Sequence, residues 1–190
     1  MTLYDILLDS VLREYRTVSH LEGDVVEFGT HKGNSASKLL ALIPKSKTLH
    51  VCDSFVGMPE PHVYDNYCKK GDLGDTSAEE VRKRLDSISS EGDYKMHIGF
   101  VPPIPSSMED IEKICFAYID IDLYEAYHAS LGFVLPRMVP GGLIVMDDYG
   151  AGTCEGATKA ANEFVGANNL TLDLRHPFGA SIKISNEMLT

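Results

Sequence analysis

The sequence lacks several features that would mark common classes of protein. No run of basic residues offsets its formal net charge of −11, so nucleic acids and anionic membranes are poor partners for it. No apolar run approaches the roughly 20 residues of a membrane-spanning helix, and the N-terminal stretch reads as an amphipathic helix instead of a signal peptide. Its four cysteines form no CxxC pair, which favours reduced core thiols in a cytoplasmic protein.

The composition that remains is that of one globular domain. Of the 190 residues, 44% are hydrophobic and 24% are charged, which is enough apolar surface for a substantial core. No linker divides the chain, so residues 1–190 are predicted to form a single domain. The one long irregular stretch, 56–75, is rich in Pro, Gly, Asp and Tyr. We expect a lid over a binding site there, with disorder as the alternative.

Strand-like and helix-like patterns alternate along the chain. Helical periodicity is predicted after the N-terminal helix at 33–43, 77–88, 123–137 and 155–168, with Ser77 and Glu80 as a capping box. Apolar β-patterned runs occur at 24–28, 48–52, 95–99, 114–120 and 143–147, and two further runs, 171–176 and 180–185, flank a turn at 177–179. This order predicts an α/β fold with a doubly wound, mostly parallel sheet and a C-terminal antiparallel hairpin.

The first predicted strand ends in a glycine-bearing turn, VVEFGTHKGNSA, residues 25–36. Its spacing, E-x-G-x-x-x-G, departs from the dinucleotide signature GxGxxG and is typical of methyltransferases that use S-adenosylmethionine. A purely structural strand-to-helix turn is the alternative. Glycines allow a ligand close to the backbone, and free N–H groups at a helix start suit an anionic group. The residues expected to contact the cofactor here are Glu27, Gly29, Thr30, Gly33, Asn34 and Ser35.

Asp53 follows the second predicted strand, about 20 residues beyond the glycine turn. An acid at this place can accept hydrogen bonds from both hydroxyls of a ribose, and a turn or helix cap is the alternative role. Ligands of open α/β sheets gather beyond the carboxyl ends of the strands. We therefore expect Ser54 and Phe55 after the second strand, and Gly99 and Phe100 after the third, to line the same site.

Four aspartates follow two other predicted strands. Clustered carboxylates repel and lose hydration on burial, so a hard divalent cation, Mg²⁺ above all, is expected to offset Asp120, Asp122, Asp147 and Asp148. Alternation places Asp120 and Asp122 on one face if the strand continues, whereas Asp147 and Asp148 can share an ion only if the chain turns between them. The alternatives are a helix cap for Asp122 and hydrogen bonds to neighbouring turns for the others.

Several motifs resemble the macrocin O-methyltransferase family over about residues 23–164: DSFVGMPEP (53–61), EEVRKRL (79–85), D-x-D-L-Y-E (120–125), PGG (140–142) and DDY (147–149). The resemblance implies a class I, Rossmann-like methyltransferase fold, S-adenosylmethionine as methyl donor, and Mg²⁺-dependent methylation of a sugar hydroxyl. By matching position it implies Asp120, Asp147 and Asp148 as metal ligands, Asp120 also beside the cofactor, and Asp122 as general base.

Other assignments stay open at this point. Gly150 stands where some family members carry a histidine after DDY, so a histidine could replace Asp122 as base; the candidates are His31, His62, His128 and His176. A nicotinamide-dependent oxidoreductase is disfavoured by the missing GxGxxG, and a non-catalytic cofactor-binding protein is the alternative of another class. The expected partner is a small-molecule or carbohydrate acceptor, without nucleic acid or membrane, and a homo-oligomer is compatible with the sequence.

Overall fold

One sheet organises the chain in the computed structural model, which describes residues 2–88, 90, 92–174 and 179–185. In the described residues its strands are β1 (Asp24–Phe28), β2 (Thr48–Asp53), β3 (Asp93–Ile98), β4 (Ile114–Ile119), β5 (Met138–Met146), β6 (Asp173–Leu174) and β7 (Ala180–Lys183). Their order is β3-β2-β1-β4-β5-β7-β6. The strands β1 to β5 are parallel, whereas β7 is antiparallel to both β5 and β6. The predicted α/β fold is confirmed.

Helices precede or connect several of these strands, and some of them begin at a side-chain cap. The helices are α1 (Leu3–Val18), α2 (Asn34–Leu40), α3 (Ala78–Asp86), α4 (Tyr124–Val134) and α5 (Glu155–Ala167). The predicted cap of α3 is confirmed, because Ser77 Oγ accepts the Glu80 N–H at 3.3 Å. No helix in the described part of the chain is long and apolar enough to cross a bilayer.

Each face of the sheet is covered by its own apolar layer. Alternate strand residues point to opposite faces, so neighbours in β1 belong to different cores. One layer packs strand residues against α1, α2 and α3, and includes Leu8, Val11, Val25, Leu39, Val51 and Val81. The other packs against α4 and α5, and includes Val26, Phe28, Ile119, Leu131, Ala157 and Ala161. This double cover leaves the ends of the strands as the place where polar side chains can gather.

Three predicted element boundaries were wrong, the first of them at the helix predicted over 33–43, which ends at Leu40. The segment 140–142 was expected before the fifth strand, but β5 already begins at Met138 and contains it. Gly141 has φ +81°, and the pairing of β4 with β5 shifts register nearby, so an irregularity lets one strand span the Pro-Gly-Gly segment. The helix predicted to reach residue 137 ends at Val134 and continues as a 3₁₀ turn.

The C-terminal hairpin is confirmed in its antiparallel pairing, with Leu174 opposite Ala180. Its predicted turn lies largely outside the described residues, since Pro177 and Phe178 are not among them, and Gly179 alone of the three is described.

The loop at 56–75 is folded onto the domain. Its two halves are joined where the Met58 N–H donates to the Asp72 carbonyl at 2.8 Å. Its C-terminal end is tied to the glycine turn, because the His31 ring bonds the Asp75 carboxylate at 2.8 Å. These contacts place the loop beside the carboxyl ends of the strands.

Candidate active site

A cleft that opens to solvent lies at the carboxyl ends of the central strands. Its walls come from the turns after β1 to β4, from the loop 56–75 and from the start of α4. The predicted site residues that line it are Gly29, Asp53, Ser54, Gly99, Phe100, Asp120 and Asp122. The structure thus brings predicted cofactor and acceptor residues to one opening, as expected for ligand sites in this class of sheet.

Asp53 links the second strand to the glycine turn. Its Oδ2 accepts the His31 N–H at 2.7 Å, and its Oδ1 accepts the Phe55 N–H at 2.7 Å. Asp53 therefore caps the turns that follow β1 and β2. A carboxylate has about four acceptor sites, so both oxygens of Asp53 can still accept hydrogen bonds from a ligand in the cleft.

Two buried polar atoms of the glycine turn lack a hydrogen-bond partner among the described residues. One is Glu27 Oε2, on a side chain whose other oxygen accepts the Ser35 hydroxyl at 2.6 Å; the second is Thr30 Oγ1. Burial raises the pKa of Glu27 to about 8. Buried polar groups are nearly always paired, and Gly29 and His31 of the same turn line the cleft, so these oxygens are compatible with a polar ligand at this turn.

The remaining residues predicted at this turn have packing roles. A Cβ on Gly29, at φ +85°, would lie 1.6 Å from the Asp120 carbonyl oxygen, so only glycine lets β1 end against β4. Gly33, at φ +74°, starts α2 close to α3. Asn34 Oδ1 accepts a bond from Arg84 at 2.6 Å, and Phe55 is buried in the core that faces α1 to α3.

The acids after β4 and β5 form a tight group, but its membership differs from the predicted ligand set. Ligand atoms of Asp122, Asp148 and Cys154 all lie within 4.8 Å of one another. Asp148 Oδ2 accepts the Asp122 N–H at 3.0 Å, and the Cys154 thiol donates to Asp122 Oδ1 at 3.5 Å. The Asp120 carboxylate instead accepts a hydrogen bond from the Tyr118 hydroxyl at 3.1 Å. Asp147 directly follows β5, and its N–H donates to the Ile119 carbonyl.

This acid cluster, Asp120, Asp122, Asp147 and Asp148, is electrostatically unfavourable by itself. Burial, and then the neighbouring charge of Asp148, raise the pKa of Asp120 well above its usual range. Burial followed by the charge of Asp122 raises the pKa of Asp148 in the same direction. A cation would offset these charges, and oxygen ligands suit Mg²⁺, whereas the Cys154 thiol does not. Asp122 and Asp148 therefore supply the ligand chemistry of the ion that the sequence predicts, whereas the predicted ligands Asp120 and Asp147 lie outside the group of ligand atoms within 4.8 Å of one another in the described residues.

Asp122 occupies a strained turn. The expectation that Asp120 and Asp122 share a strand face was wrong, because β4 ends at Ile119 and Asp122 has φ +61°. The Leu123 N–H donates to the Ile121 carbonyl at 2.6 Å, which closes a three-residue turn around Asp122. Such turns are rare, and strained residues concentrate at functional sites.

The helix-cap alternative for Asp122 was also wrong. The N-cap of α4 is Leu123, without a side-chain bond, and the first helical N–H, that of Tyr124, is accepted by Asp65 Oδ1 at 3.0 Å. Sequence reasoning missed Asp65 and Cys154. Neither lies in a motif, and both reach the site only through the folding of loops.

The candidate histidines are dispersed. His31 lines the cleft, His62 stacks on Tyr124 at 4.8 Å between ring centroids, and His128 bonds Glu163 at 3.1 Å. His176 lies outside the described residues. Of the described histidines, only His31 lines the cleft, so it is the one that stays a candidate base beside Asp122.

Comparison with known proteins agrees with this architecture. The model of the family Macrocin-O-methyltransferase (TylF) matches residues 8–178. A rhamnosyl-tetracenomycin C 4'-O-methyltransferase of Streptomyces olivaceus is 28% identical over 148 residues, which cover 71% of this chain and 56% of the relative. Demethyldecarbamoylnovobiocin O-methyltransferase of Streptomyces niveus is 24% identical over 145 residues, 69% of this chain and 54% of the relative. The chain thus spans just over half the length of these relatives.

Solved structures share the fold. The calicheamicin methyltransferase CalS11 superposes with a TM-score of 0.80 at 20% identity, over 96% of this chain and 80% of that structure. The O-methyltransferase NovP gives 0.76 at 22% identity, over 94% and 78%. At such identities the likeness establishes the methyltransferase fold, and the family match covers most of the sequence. The chain belongs to the macrocin O-methyltransferase family.

Proposed function

We propose that the protein is an S-adenosylmethionine-dependent, Mg²⁺-dependent O-methyltransferase that acts on a hydroxyl of a sugar or glycosylated small molecule. One observation carries the proposal: a single cleft joins the glycine turn and Asp53 on one side to Asp120 and Asp122 on the other. We further infer that 1–190 works as one domain with 56–75 as its lid, in the cytoplasm and without nucleic-acid or membrane partners.

The cofactor side of the cleft suits a polar, amine-bearing ligand. Bound S-adenosylmethionine would supply an electrophilic methyl group on a sulfonium sulfur. Asp53 keeps free acceptor capacity for ribose hydroxyls after binding two backbone N–H groups. The buried oxygens of Glu27 and Thr30 offer further polar groups at the glycine turn. These assignments support S-adenosylmethionine over a nicotinamide dinucleotide, whose glycine signature is absent.

On the acceptor side, Asp122 is the base in this proposal. Methyl transfer from bound S-adenosylmethionine to the acceptor oxygen would release the hydroxyl proton, and the Asp122 carboxylate is the group that would accept it. Mg²⁺ held by Asp120, Asp147 and Asp148 would make the acceptor hydroxyl more acidic and offset the repulsion among the carboxylates. The strained turn fixes where Asp122 stands, and the Cys154 thiol bonded to Oδ1 restricts its rotation.

The relatives suggest the acceptor class. One relative is named as a 4'-O-methyltransferase of a rhamnosyl-tetracenomycin, and a CalS11 structure is described as a TDP-rhamnose 3'-O-methyltransferase. A hydroxyl of rhamnose or a similar deoxysugar is therefore our proposed acceptor. Vicinal oxygens of such a sugar are suitable ligands for a hard cation.

Incubation with S-adenosylmethionine, Mg²⁺ and TDP-rhamnose tests the proposal. We expect S-adenosylhomocysteine and a methylated sugar by mass spectrometry, and neither product when EDTA replaces Mg²⁺. Calorimetry with S-adenosylhomocysteine and NADH, separately, distinguishes the alternatives. Binding of NADH without binding of S-adenosylhomocysteine would reject the methyltransferase, and cofactor binding without transfer to any sugar tested would favour a non-catalytic binding protein.

A further inference from the structure

Asp65 is a buried carboxylate in a largely exposed loop. Asp65 is only 4% exposed, whereas Val63 and Tyr67, two residues away on either side, are 77% and 62% exposed. Asp65 Oδ2 accepts the His62 N–H within the loop at 3.0 Å, and Oδ1 accepts the Tyr124 N–H of α4 at 3.0 Å. Burial of a carboxylate is costly unless hydrogen bonds satisfy it, so this placement indicates a specific role.

The start of α5 is also shaped around Asp65. A Cβ added to Gly156 would lie 1.8 Å from Asp65 Oδ1 and 3.1 Å from Tyr124 Cβ. Glycine at this position therefore lets the carboxylate sit between the first turns of α4 and α5. Both helices present partly positive N-termini there, which favours a negative group.

These two helix starts carry the side chains around the strained turn. Asp122 lies two residues before Tyr124, and Cys154, whose thiol donates to Asp122 Oδ1, lies two residues before Gly156. A strained conformation persists only where its surroundings over-determine it. Three hydrogen bonds restrain the strained turn. The Asp148 carboxylate accepts the Asp122 N–H, the Cys154 thiol donates to Asp122, and Asp65 accepts the Tyr124 N–H of α4.

We propose that Asp65 is a positioning residue, which clamps the starts of α4 and α5 so that the strained turn presents Asp122 to the cleft. The loop that carries Asp65 also gives Gly57, Met58 and Leu73 to the cleft wall, so the clamp ties that wall to the turn. The role in catalysis rests on the proposed function, whereas the clamp itself is a property of the fold.

Hydrogen exchange tests the clamp without any acceptor. Wild type is compared with Asp65→Ala, Asp65→Asn and Gly156→Ala, and with Glu60→Gln as an exposed control in the same loop. We expect the amides of Asp122 and Tyr124 to exchange about tenfold faster or more in Asp65→Ala and Gly156→Ala, and to be unchanged in the control. Asp65→Asn should lie between, since its amide oxygen can still accept the Tyr124 N–H.

The melting temperature of Gly156→Ala should change in opposite directions depending on whether Gly156 is an ordinary helical glycine or makes room for the Asp65 clamp. Glycine to alanine within a helix ordinarily stabilises. Here the new Cβ would displace Asp65, so we expect a lower melting temperature. A higher melting temperature with unchanged exchange at Asp122 and Tyr124 would overturn the clamp.

Activity then separates positioning from general loss of structure. With S-adenosylmethionine, Mg²⁺ and TDP-rhamnose, Asp65→Ala should lower kcat by roughly ten- to a hundredfold, with a smaller effect on KM, while Asp65→Asn recovers part of the rate. Affinity for S-adenosylhomocysteine should change little in both variants. Full kcat in an Asp65→Ala protein with fast-exchanging amides would overturn the positioning role. A wild type that fails with this acceptor would count against the proposed function, and exchange would still decide the clamp.

Discussion

Replacing Asp122 by asparagine should make the protein more stable and much less active. Asparagine tolerates positive φ as well as aspartate does, so the turn at φ +61° can be kept. Its amide oxygen can still accept the Cys154 thiol bond. The substitution removes one negative charge from the acid cluster and, with it, the proposed base.

The size of the stability gain follows from the geometry of the cluster. Ligand atoms of Asp122 and Asp148 lie within 4.8 Å of each other. Two unit charges at such a distance repel by about 3 kcal/mol at an effective dielectric constant of about 20. Burial raises the pKa of both carboxyls, and the charge of Asp122 raises that of Asp148 further, so protonation of one carboxyl relieves part of this repulsion. A gain of about 1–2 kcal/mol is expected without Mg²⁺, or roughly 2–8 °C in melting temperature.

Scanning calorimetry in EDTA, paired with single-turnover transfer to TDP-rhamnose in Mg²⁺, measures both effects. We expect kcat to fall by about 10²–10⁴-fold, the usual loss when a general base is removed. Asp110→Asn makes the same chemical change at an exposed position and should leave both quantities unaltered. An Asp122→Asn protein that keeps its rate but melts below wild type would refute the reasoning, because the carboxylate would then be structural.

Three further predictions follow from other groups. Asp53→Ala should weaken S-adenosylhomocysteine binding by roughly ten- to a hundredfold in calorimetry, as for lost charge-assisted hydrogen bonds, and unchanged affinity would remove Asp53 from the site. Mg²⁺ should restore activity lost in EDTA and raise the wild-type melting temperature by mass action; full activity after exhaustive chelation would reject the ion. Burial, and then the charge of His50, lower the pKa of His97 from 6.5 to about 4. Between these two pH values the unfolded chain binds more protons than the folded protein, so the free energy of unfolding falls as the pH drops from 6.5 towards 4. Urea unfolding should show a loss of up to about 3 kcal/mol in this window that is much smaller in His97→Gln; equal losses would contradict it.

The features that sequence predicted are those encoded by local pattern. Alternating periodicities gave the order of strands and helices, and the spacing of Ser77 and Glu80 predicted the start of α3. The carboxyl-end rule placed Asp53 and Asp122 at one cleft, because parallel strands must deliver their ends to the same edge.

What sequence did not predict depends on contacts between distant residues. Position 29 requires glycine because the Asp120 carbonyl leaves no room for a Cβ. The first N–H group of α4 is bonded by Asp65, which lies 59 residues earlier in the chain. The position of Asp122 was misjudged because strand alternation was extended beyond Ile119, where the chain leaves the sheet. Periodicity carries no information about where such a turn falls.

The hydrogen bonds of the acids themselves argue that the cluster exists to hold a ligand. Asp120 accepts the Tyr118 hydroxyl, Asp122 accepts the Cys154 thiol, and Asp148 accepts bonds from Asp122 and Tyr127. These bonds leave acceptor capacity unused on carboxylates that are desolvated and repel one another. Asparagine would satisfy the same donors without the repulsion, so structural duty alone does not account for the charges. Under the proposed function, a cation and an acceptor hydroxyl would account for them, since both require negative oxygen at this place and neutral oxygen would serve each less well.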